Sequence, residues 1–149
     1  MKFFGKSKTS SSNKDAKTIL FVYVENAGRS QIAEGFFKKY APSRFKTVSA
    51  GTKPAYQLNP IVVEAMKEVG IDISKQKSKE LTDEMIRDSY NAVNMGCMDK
   101  NFCPAIFVPK VIEWNLKDPK GKSIEEVREI RDEIEKRIKE LVSTLEIKQ

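Results

Sequence analysis

The residues best placed to take part in chemistry are Arg29 and Ser30, which follow an apolar segment and a short loop. Residues 19–24 are apolar, aromatic and β-branched, and this composition predicts a buried strand. Residues 25–28 include Asn and Gly, which tolerate unusual backbone dihedrals in a tight loop. After Arg29 the apolar residues recur at helical spacing. The loop therefore leads into a helix N-terminus, where backbone N–H groups and the helix dipole attract anions.

Arg29, at the end of this loop, can hold two oxygens of a tetrahedral oxyanion at once. The stretch therefore predicts a phosphate-like anion site. Loop composition by itself fits equally well an ordinary strand-to-helix turn with an exposed arginine, because a single glycine in a loop is a weak signal.

The elements that would position the loop alternate between strands and helices. Strands are predicted at residues 18–24, 45–50, 90–95 and 105–108, and helices at 30–40, 59–70, 81–87 and 123–145. Asn59 and Pro60 suit the start of the second helix, and Ser123 with Glu126 can form a capping box at the last. Such alternation predicts an α/β fold with a parallel sheet covered on both faces. The anion loop then lies at the carboxyl end of the first strand.

Length and charge limit the organisation of the chain. Residues 1–17 are rich in Ser and Lys and lack an apolar period, so they are predicted to be a disordered basic tail. Residues 18–149 are predicted to form a single domain. The tail holds five lysines against one aspartate and carries most of the formal net charge of +6. The folded part therefore offers no concentrated patch for nucleic acid.

Composition excludes several classes of chemistry. The chain has no histidine, so no mechanism can use imidazole as a base, and it has no apolar run that predicts a membrane span. We therefore expect a cytoplasmic protein without a membrane partner. Cys97 and Cys103 are the two cysteines. In a cytosolic chain a close pair is more often catalytic or redox-active than structural, although two small core residues would also fit.

Residues 22–30, read as Val-Tyr-Val-Glu-Asn-Ala-Gly-Arg-Ser, resemble the phosphate loop of the low-molecular-weight protein tyrosine phosphatase superfamily. The resemblance is closest to its thioredoxin-coupled arsenate reductase branch and extends from Thr18 to the final helix. It implies a four-stranded parallel sheet flanked by helices. The family loop reads Cys-x-x-x-x-x-Arg-Ser with Cys as the nucleophile, and that position is Tyr23 here.

The resemblance assigns roles to several residues. Oxyanion binding falls to the loop N–H groups and the arginine side chain, which correspond to Val24, Glu25, Asn26, Ala27, Gly28 and Arg29. Ser30 matches the residue that hydrogen-bonds the nucleophilic thiolate, and Asp118 matches the general acid. Without the resemblance, Asp118-Pro119 would be read as a turn. Residues 49–52 match a segment that packs beside the loop.

The cysteine pair favours the arsenate reductase branch over a plain phosphatase. That branch uses three thiols: one bonds arsenic, a second attacks and releases arsenite, and a third carries the disulfide to the surface. Cys97 and Cys103 match the second and third thiols, with thioredoxin or a similar dithiol as the implied reductant. Residues 120–122, Lys-Gly-Lys, also lack the aromatic wall that phosphotyrosine would need.

The resemblance also implies a potassium ion behind the loop. Asn26, Glu34 and Ser49 match ligand positions of that site, and oxygen ligands of this kind suit a hard cation. Alternatively, Glu34 is only a carboxylate near a helix N-terminus that balances the dipole. No other cofactor is expected.

Tyr23 decides the functional prediction. A phenol has a pKa near 10 and is a poor nucleophile at neutral pH, and its ring is far larger than a thiol. We therefore predict an arsenate reductase-family protein, converting arsenate to arsenite by a thiol relay, that is inactive as written. The substitution is natural, as in a pseudoenzyme, or engineered. The alternatives are a low-molecular-weight phosphatase-like protein and a catalytically silent oxyanion-binding or redox-interaction protein.

Overall fold

The computed structural model describes residues 17–95 and 110–147 of the 149-residue chain. Three predictions lie outside these residues: residues 1–16 of the basic tail, the thiol roles of Cys97 and Cys103, and the strand at 105–108. Lys17, assigned to the tail from sequence, is instead the first residue of a strand.

The described chain contains four strands and four helices. In order they are β1 (Lys17–Tyr23), α1 (Arg29–Tyr40), β2 (Phe45–Gly51), α2 (Pro60–Glu68), α3 (Asp83–Asp88), β3 (Ser89–Asn94), β4 (Val111–Glu113) and α4 (Ile124–Ile147). The strands form one sheet in the order β2-β1-β3-β4, and every neighbouring pair is parallel. The predicted four-stranded parallel sheet flanked by helices is confirmed.

The fourth strand was not predicted where the structure has it. β4 contains only three residues and pairs Val111–Glu113 with Ala92–Asn94 of β3. So short a strand, with two apolar residues that are only half-buried, carries too little periodicity to be recognised from sequence.

Strand β1 lies at the centre of the sheet and sends side chains into two separate cores. Ile19 and Phe21 face the larger core, which contains the apolar sides of α1, α2 and α4. Leu20 and Val22 face a smaller core with Leu81, Met85 and Ile86, in and next to α3. Because alternate residues of a strand point to opposite faces, burial on both faces requires the continuous apolar run that β1 shows.

Local sequence signals fix the ends of two helices. Asn59 Oδ1 accepts a hydrogen bond from the Ile61 backbone N–H at 3.0 Å, which caps α2. Ser123 and Glu126 exchange backbone-to-side-chain hydrogen bonds of 3.2 Å each, the predicted capping box of α4. Within the two described segments, no helix has both the length and the apolar character needed to cross a membrane.

Helices α2 and α4 are joined by an ion-pair cluster around Glu68. Arg128 binds both carboxylate oxygens of Glu68 at 2.9 and 2.7 Å, and Arg131 adds a bond of 3.0 Å while also donating to the Ala65 carbonyl. The hydrogen bond from Arg128 is the largest effect on the pKa of Glu68, which is lowered to about 2. The carboxylate form is therefore strongly preferred in the folded protein.

We expect this cluster to make stability depend on pH in the acid range. A folded-state pKa below the unfolded value contributes stability that is present above the unfolded pKa and is lost as pH falls toward the folded pKa. The melting temperature of Glu68→Gln should therefore lie furthest below that of the unmodified protein at neutral pH. The gap should close between about pH 5 and pH 2. Glu129→Gln, at an exposed position of α4, is the matched control. A gap that stays constant down to pH 2 would contradict this assignment.

Candidate active site

The loop at residues 24–28 connects β1 to α1 and is organised around Asn26. Asn26 is buried and has a φ of +53°, in the left-handed region that Asn tolerates better than most residues. Its Nδ2 donates to Ser30 Oγ at 2.8 Å. Its Oδ1 accepts from Gln31 Nε2 at 3.0 Å and from the Lys79 backbone N–H at 2.8 Å. One side chain thus ties the loop to the first turn of α1 and to a segment about fifty residues away.

The end of β2 packs directly against this loop, as predicted for residues 49–52. The backbone N–H groups of Thr52 and Lys53 donate to the carbonyls of Tyr23 and Val24 at 3.2 and 2.8 Å. Gly51 lies so close that an added Cβ would meet the Val24 carbonyl oxygen at 2.4 Å. Contacts this short are made only where no side chain is present.

Replacing Gly51 by alanine is expected to destabilise the fold by about 2 kcal/mol, because the new methyl group would push the loop backbone aside. Chemical denaturation measures the loss, and amide NMR shifts of Val24 and Asn26 report the displaced loop. Gly70→Ala is the control: Gly70 has a positive φ of +81° but open space around it. That variant should lose about 1 kcal/mol of stability and leave the loop shifts unchanged. Unchanged loop shifts in Gly51→Ala would contradict the contact.

Tyr23, the last residue of β1, engages the two groups that the resemblance assigns to catalysis. Its hydroxyl donates to Asp118 Oδ2 at 2.7 Å. The Arg29 guanidinium carbon lies 4.0 Å from the centre of its ring, a cation–π contact. Burial is the main cause that raises the pKa of Tyr23 above its ordinary value, and the hydrogen bond to Asp118 adds to it, while the charge of Arg29 opposes both. The phenol is therefore protonated at neutral pH.

Arg29 begins α1 and is buried. Its Nη1 donates a short hydrogen bond to the Leu116 carbonyl, and its Nη2 lies 4.0 Å from Asp118 Oδ2. Its Nε is buried and has no hydrogen-bond partner among the residues that the structure describes. The guanidinium is thus turned toward the loop before α4.

Asp118 is held against the anion loop by its neighbours. An added Cβ on Gly28 would lie 2.8 Å from Pro119 Cγ, so the two segments touch. Burial opposes the charge of Asp118. It is outweighed by hydrogen bonds from the Lys120 backbone and the Tyr23 hydroxyl and by the Arg29 charge, and the pKa of Asp118 is lowered. At neutral pH Asp118 is therefore ionised and accepts the hydrogen bond from the Tyr23 hydroxyl.

A cleft of about 460 Å³ opens beside these groups. Tyr23, Gly28 and Asp118 form part of its lining, and the fully exposed Tyr56 stands at its edge. Lys120 Nζ bridges to Glu25 at 3.1 Å, an exposed ion pair of the kind that contributes little stability. The cleft therefore leads solvent to the side of the loop where Tyr23 and Asp118 meet.

The predicted potassium ligands are brought together, but their oxygens are already used by hydrogen-bond donors. Ser49 Oγ donates a short hydrogen bond to Glu34 Oε1, and Lys38 Nζ lies 2.8 Å from Glu34 Oε2. Lys79 Nζ lies 3.6 Å from Glu34 Oε1, and Asn26 Oδ1 accepts two N–H groups. A potassium ion needs oxygens that are free to point at it. This donor set does not fit one.

Sequence reasoning missed three participants in the site. The Leu116 carbonyl receives Arg29, fully buried Gln31 braces the loop, and Lys79 contacts both Asn26 and Glu34. No local sequence signal marked them, because Gln31 is on the side of the predicted helix opposite its apolar residues and Lys79 is in a polar loop.

Comparisons with known proteins agree with this geometry. The protein family described as low molecular weight phosphotyrosine protein phosphatase matches residues 18–149. Arsenate reductase 1 of Staphylococcus haemolyticus is 39% identical over 133 residues, which cover 88% of this chain and 98% of the relative.

Two solved structures show the same likeness. One, described as an arsenate reductase in the phosphate binding state, superposes with a TM-score of 0.78 at 30% identity and covers 86% of this chain and 98% of its own. The thioredoxin-dependent arsenate reductase of Corynebacterium glutamicum gives a TM-score of 0.76 at 34% identity and covers 98% and 73%. The chain therefore belongs to the low molecular weight phosphotyrosine protein phosphatase family, in which it is similar to the arsenate reductases.

Proposed function

We propose that this chain has the framework of an arsenate reductase whose first catalytic thiol is replaced by Tyr23, and that it does not reduce arsenate as it stands. The observation that supports this proposal is the engagement of Tyr23 with both Asp118 and Arg29. Arg29 is expected to bind the oxyanion and Asp118 to protonate its leaving oxygen, but both side chains instead contact Tyr23.

The thiol relay implied by the resemblance needs sulfur at position 23. A thiolate bonds to arsenic and displaces one arsenate hydroxyl, which takes up a proton and leaves as water. A second thiolate then attacks that first sulfur. As the sulfur–sulfur bond forms, the electron pair of the arsenic–sulfur bond stays on arsenic. Arsenic(V) becomes arsenic(III), and two thiols become a disulfide. A phenol oxygen cannot complete a disulfide, so even an arsenate ester of Tyr23 would not be reduced by this route.

The remaining parts of the relay keep their proposed roles. The N–H groups of residues 24–28 and the Arg29 side chain would bind the oxyanion, Ser30 would hydrogen-bond a thiolate at position 23, and Asp118 would serve as general acid. Cys97 and Cys103 would be the second and third thiols. A thioredoxin-like dithiol is the proposed reductant, supported by the thioredoxin-dependent relative. Such dithiols are kept reduced in the cytoplasm, which suits the proposed location.

The test is arsenate-dependent oxidation of NADPH through thioredoxin reductase and thioredoxin. With the unmodified chain we expect the same rate as in a mixture without the chain. Turnover above that background would contradict the proposal. An intact family arsenate reductase in the same mixture shows that the coupling proteins work.

A second function, oxyanion binding without catalysis, is favoured by the buried Nε of Arg29, which has no partner within residues 17–95 and 110–147. A buried donor without a partner costs free energy, and an anion oxygen would satisfy it. Titration with inorganic phosphate, followed by amide NMR of the loop, would detect such binding in the unmodified chain. A Cys97–Cys103 disulfide that titrates against thioredoxin would support the redox-interaction variant of this function. The absence of both responses would remove it.

The phosphatase alternative has a separate test. Tyr23→Cys would regain the nucleophile that a family phosphatase uses, so hydrolysis of an aryl phosphate by this variant would favour that function. Failure of the folded variant to hydrolyse the ester would exclude it.

A further inference from the structure

Glu34 is a carboxylate buried behind the anion loop, and such a group needs a compensating positive charge. Two lysines lie near it. Lys38, one helical turn further along α1, meets Oε2 at 2.8 Å from a side chain that is 53% exposed. Lys79 meets Oε1 at 3.6 Å from a side chain that is 31% exposed. Lys79 is therefore the less hydrated of the two cations.

The Lys79 ammonium group lies among oxygen atoms of the kind that bind a monovalent cation. Besides Glu34 Oε1 it contacts the Lys77 carbonyl oxygen at 2.9 Å. Its own backbone N–H is fixed to Asn26 Oδ1 at 2.8 Å, and its carbonyl accepts from the Gly51 N–H at 2.8 Å. The backbone of Lys79 is thus fixed by hydrogen bonds to the anion loop and to β2, and this fixes the position from which its side chain reaches Glu34.

We infer that the Lys79 ammonium group is a built-in monovalent cation, which takes the place of the potassium ion expected beside Glu34 and makes the loop independent of potassium. An ammonium group and a potassium ion carry the same charge and have similar size. The hydrogen-bonded oxygens described above leave no open cage for a second cation. Lys79 is a positioning residue: it acts on the oxyanion site through Asn26 and Glu34.

The experiment compares thermal unfolding in potassium chloride and in tetramethylammonium chloride at equal ionic strength. Tetramethylammonium is too large to replace potassium at a specific site, and the Lys38→Met control described below measures the general effect of changing the salt. We expect the unmodified protein to unfold at the same temperature in both salts, within about 1 °C. A clear stabilisation of the unmodified protein by potassium would overturn the inference.

Removing the ammonium group supplies the second half of the test. Lys79→Met has an unbranched side chain of similar length and keeps the backbone contacts, but it removes the less exposed of the two ammonium groups near Glu34. We expect its melting temperature to fall by about 4 °C in tetramethylammonium chloride. Potassium or ammonium ions should restore at least half of that loss, a rescue that a merely structural role of Lys79 would not show. Lys38→Met is the matched control and should respond weakly and equally in all salts.

Two outcomes with the variants count against the inference. If Lys79→Met unfolds at the same temperature as the unmodified protein, the ammonium group is not needed. If Lys79→Met is destabilised but its melting temperature does not rise with potassium or ammonium ions, Lys79 does not replace a bound cation. The same holds if these ions raise the melting temperature of Lys38→Met equally. No readout in this experiment depends on catalysis, so it is independent of the proposed function.

Discussion

Replacing Tyr23 by cysteine should give a protein that oxidises thioredoxin in the presence of arsenate, on the order of 10⁴-fold faster than the unmodified chain or more. The new thiol would lie at the N-terminus of α1, where the helix dipole and Arg29 favour the thiolate. The substitution also removes the tyrosine ring that contacts Arg29 and the hydroxyl that donates to Asp118. Both side chains are then released for an oxyanion.

Two controls separate the thiol from the space that the substitution opens. Tyr23→Ser frees the same volume but offers no sulfur, and it should stay inactive. Tyr23→Cys combined with Cys97→Ser should form the arsenic adduct and stop there. An inactive but folded Tyr23→Cys protein would mean that more than one part of the relay has been lost.

The affinity for oxyanions should rise about 100-fold in Tyr23→Ser. In the unmodified chain an anion must compete with the hydrogen bond of Tyr23 to Asp118 and with the contact of its ring to Arg29. Serine ends both interactions and frees the guanidinium of Arg29, whose Nε has no hydrogen-bond partner among the described residues. Isothermal titration with inorganic phosphate measures the change without any catalytic step.

Tyr23→Phe is the matched control for this titration. It removes the hydrogen bond to Asp118 and keeps the ring against Arg29, so its phosphate affinity should lie between those of the unmodified protein and Tyr23→Ser. Equal phosphate affinity in all three proteins would contradict the view that the tyrosine competes with the anion.

The framework of the site follows from local sequence signals. The apolar run at residues 19–24 predicts the central strand because burial on both faces demands it, and β1 occupies nearly that stretch. The loop contains Asn and Gly, which tolerate unusual dihedrals, and Asn26 has a positive φ. Asn59 and Ser123 mark helix starts because their side chains satisfy N–H groups within three residues. Each of these effects acts over a few neighbouring residues.

The contacts that define the site could not be read in the same way. Tyr23 and Asp118 are 95 positions apart, and only the folded sheet brings the hydroxyl to the carboxylate. The resemblance marked both positions separately, but it could not show that they bind each other. Lys79 carried no signal at all, because a lysine in a polar loop looks like any solvated side chain until its distance to Glu34 is known.

A single-turnover reaction without thioredoxin tests most directly the proposal that Tyr23 alone switches the reaction off. Reduced unmodified protein and reduced Tyr23→Cys are mixed with arsenate, and arsenite is measured per chain. Because Cys97 alone can complete the first electron transfer, Tyr23→Cys should release about one arsenite per chain and the unmodified protein none. Arsenite from the unmodified protein, or none from a folded Tyr23→Cys protein, would contradict the claim that Tyr23 alone switches the reaction off.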